Sequence, residues 1–186
     1  MKAAFPAIAL LTVLCMATPG CADAAQGGED TPGPYQPDSP AGAPQTLDLS
    51  AADHDAALAA AGFHRVNGQW RSGCDDPGTP SYSPGTLDKV ADLNGDGLAE
   101  AVIVEGGTYC YGMAGQGYFL VGKQAGGGWK LIDSGIGFAN FLASKGTGGW
   151  PDIEVGGPGF CFPVLRWNGS EYALHRKEYE GKPCSA

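Results

Sequence analysis

Asp92, Asn94 and Asp96 place a side-chain oxygen at every second position of the stretch DLNGDGLAE, residues 92–100, and Gly97 follows the third. Oxygens that alternate along a short loop can be wrapped round one point, and calcium takes six to eight hard oxygen ligands of this kind. As a loop, Asp92, Asn94 and Asp96 hold positions 1, 3 and 5, and Gly97 allows the sharp reversal at position 6. The carbonyl of Leu98 then falls at position 7 and the side chain of Glu100 at position 9. Magnesium tends to keep several waters, and transition metals prefer His or Cys, of which the stretch has none. Asn-Gly and Asp-Gly also make turns without any metal. A bare turn, however, does not require three alternating oxygen-bearing side chains followed by an acid. The expected cofactor is Ca2+, held by Asp92, Asn94, Asp96, Leu98 and Glu100.

Other residues could carry chemistry of a different kind. The three histidines, His54, His64 and His175, are scattered and read as surface or edge residues. Ser72 and Ser170 are potential nucleophiles, but neither lies on a strand-turn-helix elbow pattern. Asp75, Asp76, Asp152 and Glu154 could supply the carboxylate pair that glycoside hydrolysis needs, and nothing in the sequence fixes their separation. Tyr109, Tyr111, Tyr118, Phe160 and Phe162 stand among glycines. They suit either a peptide- or sugar-binding surface or a thin core short of aliphatic residues, and burial is the commoner use of large apolar groups.

Behind these residues stand a targeting segment, a tether and one domain. Residues 1–24 have a basic start at Lys2, an apolar run and the small-residue pattern ADA, as export signals do. Gly20 before Cys21 offers a second exit, a lipid anchor on Cys21 of the bacterial lipoprotein kind, although Thr18 stands where Leu is usual. Residues 25–46 are rich in Pro and Gly and cannot fill a core, which reads as an extended tether. Residues 47–186 form the domain. Its expected place is the periplasm, the outer membrane as a lipoprotein, or the medium. The formal charge of −9 argues against nucleic acid as a partner, since phosphate backbones need clustered Lys and Arg. Cys74, Cys110, Cys161 and Cys184 remain under either exit and suit two disulfides in an oxidising compartment.

Within the domain, residues 50–62 read as the one helix, capped by Ser50, with Asp53 and Asp55 in its first turn and Gly62 at its end. Asn67-Gly68 and Asn168-Gly169 mark hairpins. Short strand-like runs follow at 87–93, 100–105, 117–123, 129–134, 151–157, 161–167 and 171–177, and residues 75–85 read as plain loop. EAVIVEGGTYC and DIEVGGPGFC share an acid, an apolar run, a double glycine and a cysteine, a weak internal repeat. Four cysteines allow three pairings; the repeat suggests Cys110 with Cys161 and Cys74 with Cys184.

The loop differs from an EF-hand, which needs a bidentate Glu at position 12 and a following helix; here that position is Ile103 in a strand-like run. A loop of this composition leading directly into an apolar strand resembles the FG-GAP/VCBS repeats of bacterial surface proteins and integrin α-chain propellers. The resemblance implies the same five ligands, with Glu100 in place of the usual Asp. It implies no second ion, because residues 144–149 before the second run lack acids. It covers about a dozen residues well. A propeller needs four to eight blades of about 40–45 residues each, more than this domain holds. The expected fold is therefore mainly β: a small antiparallel sheet or sandwich of blade-like repeat units with one N-terminal helix. The expected function is an exported, calcium-stabilised, disulfide-linked binding or envelope-associated module with a protein or carbohydrate ligand. An inhibitor of an extracellular enzyme, using residues 108–118, and a small secreted hydrolase are the alternatives.

Overall fold

The computed structural model describes residues 47–185; the export segment, Cys21 and the tether lie outside the described residues. Helix α1 (Ala51–Ala60) starts where Ser50 accepts the Asp53 N–H at 3.1 Å, and Gly62 leaves it at φ +89°. Asp53 also accepts from Lys123 Nζ at 3.0 Å and Trp129 Nε1 at 3.1 Å, so the first turn is tied to the sheet beneath it. Strands β1 (His64–Val66) and β2 (Gln69–Arg71) form the expected hairpin. Asn67 and Gly68 both have positive φ, as a type I′ turn demands.

Two antiparallel meanders follow. In the first, β3 (Ser83–Ala91), β4 (Glu100–Gly106), β5 (Gln116–Lys123) and β6 (Trp129–Ile136) lie in sequence order, with a short helix α2 (Thr108–Tyr111) between β4 and β5. In the second, β7 (Phe138–Lys145), β8 (Pro151–Gly156), β9 (Phe162–Trp167), β10 (Tyr172–Tyr179) and β11 (Lys182–Pro183) do the same. The fold is thus mainly β, built of small antiparallel sheets with an N-terminal helix, and it is not a closed propeller. The acid-led runs seen in the sequence, β4 and β8, are the second strands of the two meanders.

The first sheet is covered on both faces. Ala101, Ile103 and Val121 pack with Ala57, Leu58, Ala61 and Phe63 on the α1 side. Val102 and Leu120 pack with Ile153 and Tyr172 of the second sheet on the other. This explains why EAVIVE is a nearly continuous apolar run with no alternation.

Two strand assignments need correction. Residues 138–145 form a strand, because Ala139 and Phe141 alternate inward against the first sheet. Strand β3 begins at Ser83, inside the stretch read as loop. Asn168-Gly169 does mark a hairpin, from β9 to β10, through a four-residue connection in which Asn168 Oδ1 accepts from Ser170 N, Ser170 Oγ and Glu171 N as an Asx turn.

The disulfide pairing also differs: Cys74 is bonded to Cys110 and Cys161 to Cys184, with Cα–Cα separations of 5.9 and 5.6 Å. Cys110 and Cys161 hold similar places in successive sheets, and similar places are not adjacent ones. Each finds its partner within its own sheet's loops: the segment after β2 comes under α2, and the segment after β11 comes beside the start of β9.

Gly137 alone joins the two sheets. Its φ is +123°, its N–H donates to Gln116 O at 2.9 Å, and a Cβ there would be driven into the Gly156 carbonyl. Gly137→Ala should therefore cost at least about 2 kcal/mol in urea unfolding, through both the backbone conformation and the clash. Gly126→Ala, where φ is not positive and a Cβ meets nothing within 4 Å, should change stability by less than about 0.5 kcal/mol.

Candidate functional site

The stretch 92–100 connects β3 to β4, and its side chains turn inward onto its own backbone. Asp92 Oδ1 accepts from Gly95 N at 2.7 Å and Asp96 N at 3.2 Å, and its Oδ2 from Gly97 N at 2.9 Å. Asn94 Oδ1 takes Asp96 N, and Asp96 Oδ1 takes Leu98 N, both at 2.8 Å. Glu100, 1% exposed, accepts from Leu93 N at 2.7 Å and lies 3.5 Å from Asn94 Nδ2. Gly95 and Gly97, at φ +84° and +83°, make the winding possible.

The electrostatics are one-sided. Burial raises the Glu100 carboxyl to about 7, and the charges of Asp96 and Asp92 push the same way. None of Asp92, Asp96 and Glu100 takes part in an ion pair with Lys, Arg or His among the described residues. Each carboxylate oxygen still has lone-pair capacity beyond the N–H it accepts. As arranged, the acids fan over backbone N–H groups, and among the described residues no three Asp, Glu, His or Cys side chains are gathered for an ion. The donor set itself, three carboxylates with amide and carbonyl oxygens and no soft atom, fits a hard cation such as calcium. The connection from β7 to β8 packs against this loop, because a Cβ on Gly149 would collide with the Asn94 carbonyl. Stretch 92–100 thus sits where the two sheets meet.

The second sheet handles its acid differently. Asp152, fully buried on β8, accepts from Ser144 Oγ at 2.6 Å, from Arg166 Nε and Nη2 at 2.8 Å each, and from Arg176 Nη1 at 2.8 Å. Hydrogen bonds from Arg166, Ser144 and Arg176 outweigh burial and hold its carboxyl well below the usual range. Glu154 takes Asn140 Nδ2 at 3.2 Å. Asp76 caps its own turn through Gly78 N, Thr79 N and Thr79 Oγ1, and Asp75 is exposed. His54 pairs with Asp55 at 3.1 Å, while His64 and His175 stand exposed on β1 and β10. Ser170 belongs to the Asx turn, and the Ser72 hydroxyl donates to Glu105.

Glu105 is the residue that sequence reasoning passed over. It is fully buried and accepts from Ser72 N at 3.0 Å, Ser72 Oγ, Tyr82 OH at 2.8 Å and Tyr111 OH at 2.6 Å. Burial and this carboxylate push the Tyr82 phenol up to about 12. An acid closing an otherwise apolar strand was the available signal. Together with the Cys74–Cys110 bond, Glu105 fixes the segment 108–114 that leaves β4.

That segment belongs to an unusual end of the molecule. Tyr118 is buried and Tyr111 half-buried, their hydroxyls donating to Asp133 and Glu105. Tyr109, Met113 and Phe160, by contrast, are 62%, 88% and 73% exposed. Ile136 pairs with Gly117, Phe138 with Gly156, and Glu178, next to Tyr179, with Phe162. These pairings put Tyr109, Met113, Ile136, Phe138, Phe160 and Tyr179 at the end where β4 and β8 finish. They are six of the nine large apolar side chains exposed among the described residues.

Comparison with family models, curated proteins and solved structures gives no match for the chain.

The Asp152 network yields a signed expectation. Its folded pKa lies below the ordinary value of about 3.9. Its stabilisation is therefore complete above about pH 4 and is lost as pH falls toward the folded value. Asp152→Asn should cost about 3 kcal/mol at pH 7, the arginines being partly solvated. In urea titrations the gap from wild type should narrow steadily below about pH 4.

Proposed function

We propose that the chain is an exported binding module of the cell envelope, a disulfide-tied and calcium-stabilised β scaffold that presents an apolar end to a partner protein. The observation that carries this reading is the clustering of six exposed large apolar side chains at one end. Exposed apolar side chains gathered at one end mark interaction sites, and aromatics with Met are the residues such sites favour. The loops bearing it are held from beneath by Glu105 and by both disulfides, so little order remains to be imposed on binding. Two disulfides suit an oxidising compartment, in line with the signal-like first 24 residues and a soluble or Cys21-anchored product.

Inhibition of an extracellular enzyme is a special form of the same reading, favoured by the rigid segment 108–114 with Tyr109 and Met113 at its surface. The hydrolase reading draws less support: Asp152 is occupied by two arginines and Asp76 by its own turn.

Calcium would be held by Asp92, Asn94, Asp96, the Leu98 carbonyl and Glu100, as in the FG-GAP/VCBS repeats the loop resembles. The support is a donor set of hard oxygens, uncompensated by any basic partner among the described residues, at the junction of the two sheets. The ion's part would be structural, neutralising three carboxylates where the sheets meet.

Two measurements test these statements. Calcium at about 100-fold over its Kd should add about 2.7 kcal/mol, on the order of 10 °C in melting midpoint relative to chelator. Asp96→Ala should abolish most of that difference; an unmoved wild-type midpoint would remove calcium from the account. The Tyr109→Ala/Met113→Ala variant should melt within about 2 °C of wild type. It should nevertheless lose at least about 10-fold in retention of a partner crosslinked from envelope extract. Equal retention would shift recognition away from this end.

A further inference from the structure

The opposite end of the second sheet has a different chemistry. There the ends of β7, β9 and β10, with the first residues of the connections that leave β7 and β9, line a shallow open concavity of about 570 Å3, within the size range of small-ligand sites. Its basic lining residues are Lys145, Arg166 and His175, joined by Thr147 and Asn168, and among the described residues no carboxylate lines it.

The lining is also prepared to donate hydrogen bonds. Arg166 commits Nε and Nη2 to Asp152 and keeps Nη1. Asn168 Oδ1 already accepts three donors, which leaves its Nδ2 to face outward as a donor. Lys145 is exposed and makes no ion pair among the described residues. Leu174, 61% exposed, adds an apolar wall. The shape is held by close packing. A Cβ on Gly146 would strike the Trp167 carbonyl, and the Gly146 N–H donates to Trp150 O at 2.8 Å. Trp167 is in turn packed on Trp150 and Tyr172, with ring centroids 5.5 and 5.3 Å away.

From the all-basic, donor-rich lining, the size of the concavity and its apolar wall, we propose that it binds an acidic saccharide, one whose sugar rings carry carboxylate or sulfate groups. The anionic groups would meet Lys145, His175 and Arg166, the ring hydroxyls Asn168 and Thr147, and an apolar ring face Leu174. A bare inorganic anion would engage the cations and leave most of the volume unused. The site lies away from the apolar end and does not depend on the protein-binding reading.

Calorimetric titration of the full chain, with calcium present and ionic strength fixed, tests this. The arms are tetragalacturonate, a sulfated galactan oligomer, neutral cellotetraose and sodium sulfate. At least one acidic oligomer should bind at least 10-fold more tightly than cellotetraose and sodium sulfate. Lys145→Ala/His175→Ala should weaken it by 10-fold or more with an unchanged melting midpoint, since both side chains are exposed. Tyr109→Ala/Met113→Ala should leave the titration as it was, so the two surfaces succeed or fail separately. Failure of both acidic oligomers to bind, equal binding of the neutral one, equal competition by sulfate alone, or indifference to the Lys145/His175 change would each overturn the proposal.

Discussion

Strand β4 carries a carboxylate at each end of an apolar run, and both carboxylates are buried. Glu100 is 1% exposed and Glu105 is fully enclosed, in a sheet covered on both faces. An ionised carboxylate taken out of water is costly unless donors or cations meet it there. Each end of the sheet must therefore bring polar groups to the acid, and the two ends do so by different means. At Glu105 the donors are the hydroxyls of Ser72, Tyr82 and Tyr111 with the Ser72 N–H, which draws the segment after β2 and the helix α2 onto the same point. At Glu100 the donors are one backbone N–H and the Asn94 amide, with two more acids close by. One end is satisfied by protein donors; the other has an excess of negative charge.

The second sheet meets the same problem with basic side chains. Asp152, on the corresponding strand, is met by two arginines and a serine, and its carboxyl is held well below the usual range. The connection leading into β8 needs no acids of its own, and residues 146–149 are Gly, Thr, Gly and Gly. Their small size lets Gly149 come against Asn94 of the neighbouring loop. The asymmetry between the two meanders therefore lies in what surrounds one buried acid: two arginines meet Asp152, whereas Glu100 stands beside Asp92 and Asp96.

Local features were legible in the sequence because local chemistry decides them. Ser50 caps its helix, Asn67-Gly68 turns its hairpin, and the apolar runs at 100–105 and 117–123 became β4 and β5. What escaped depended on which strand ends meet in space. The pairing of Cys74 with Cys110 requires that the segment after β2 pass under α2, and the repeat in the sequence pointed instead across the sheets. Strand β7 was hidden because FANFLASK mixes small and polar residues, and only packing against the first sheet gives Ala139 and Phe141 a buried side. Glu105 looked like the ordinary end of a strand until four donors were found around it. The glycine-flanked aromatics divided in a way no spacing reveals, Tyr118 inward and Tyr109 and Phe160 outward.

The placement of the disulfides follows from this division. Leaving six large apolar side chains in water forgoes the burial free energy that would otherwise hold their loops, about 1.5–3 kcal/mol for each side chain fully buried. Both cross-links lie at that end, closing separations of 36 and 23 residues. By the chain-entropy account such closures are worth about 3–4 kcal/mol each. Covalent constraint and the Glu105 network thus supply order that burial does not supply there. Among the described residues the opposite end has no cysteine, and it keeps its loops through close glycine packing and the Trp150–Trp167–Tyr172 cluster. An end that is rigid without being buried can offer its apolar surface to another molecule without first having to fold.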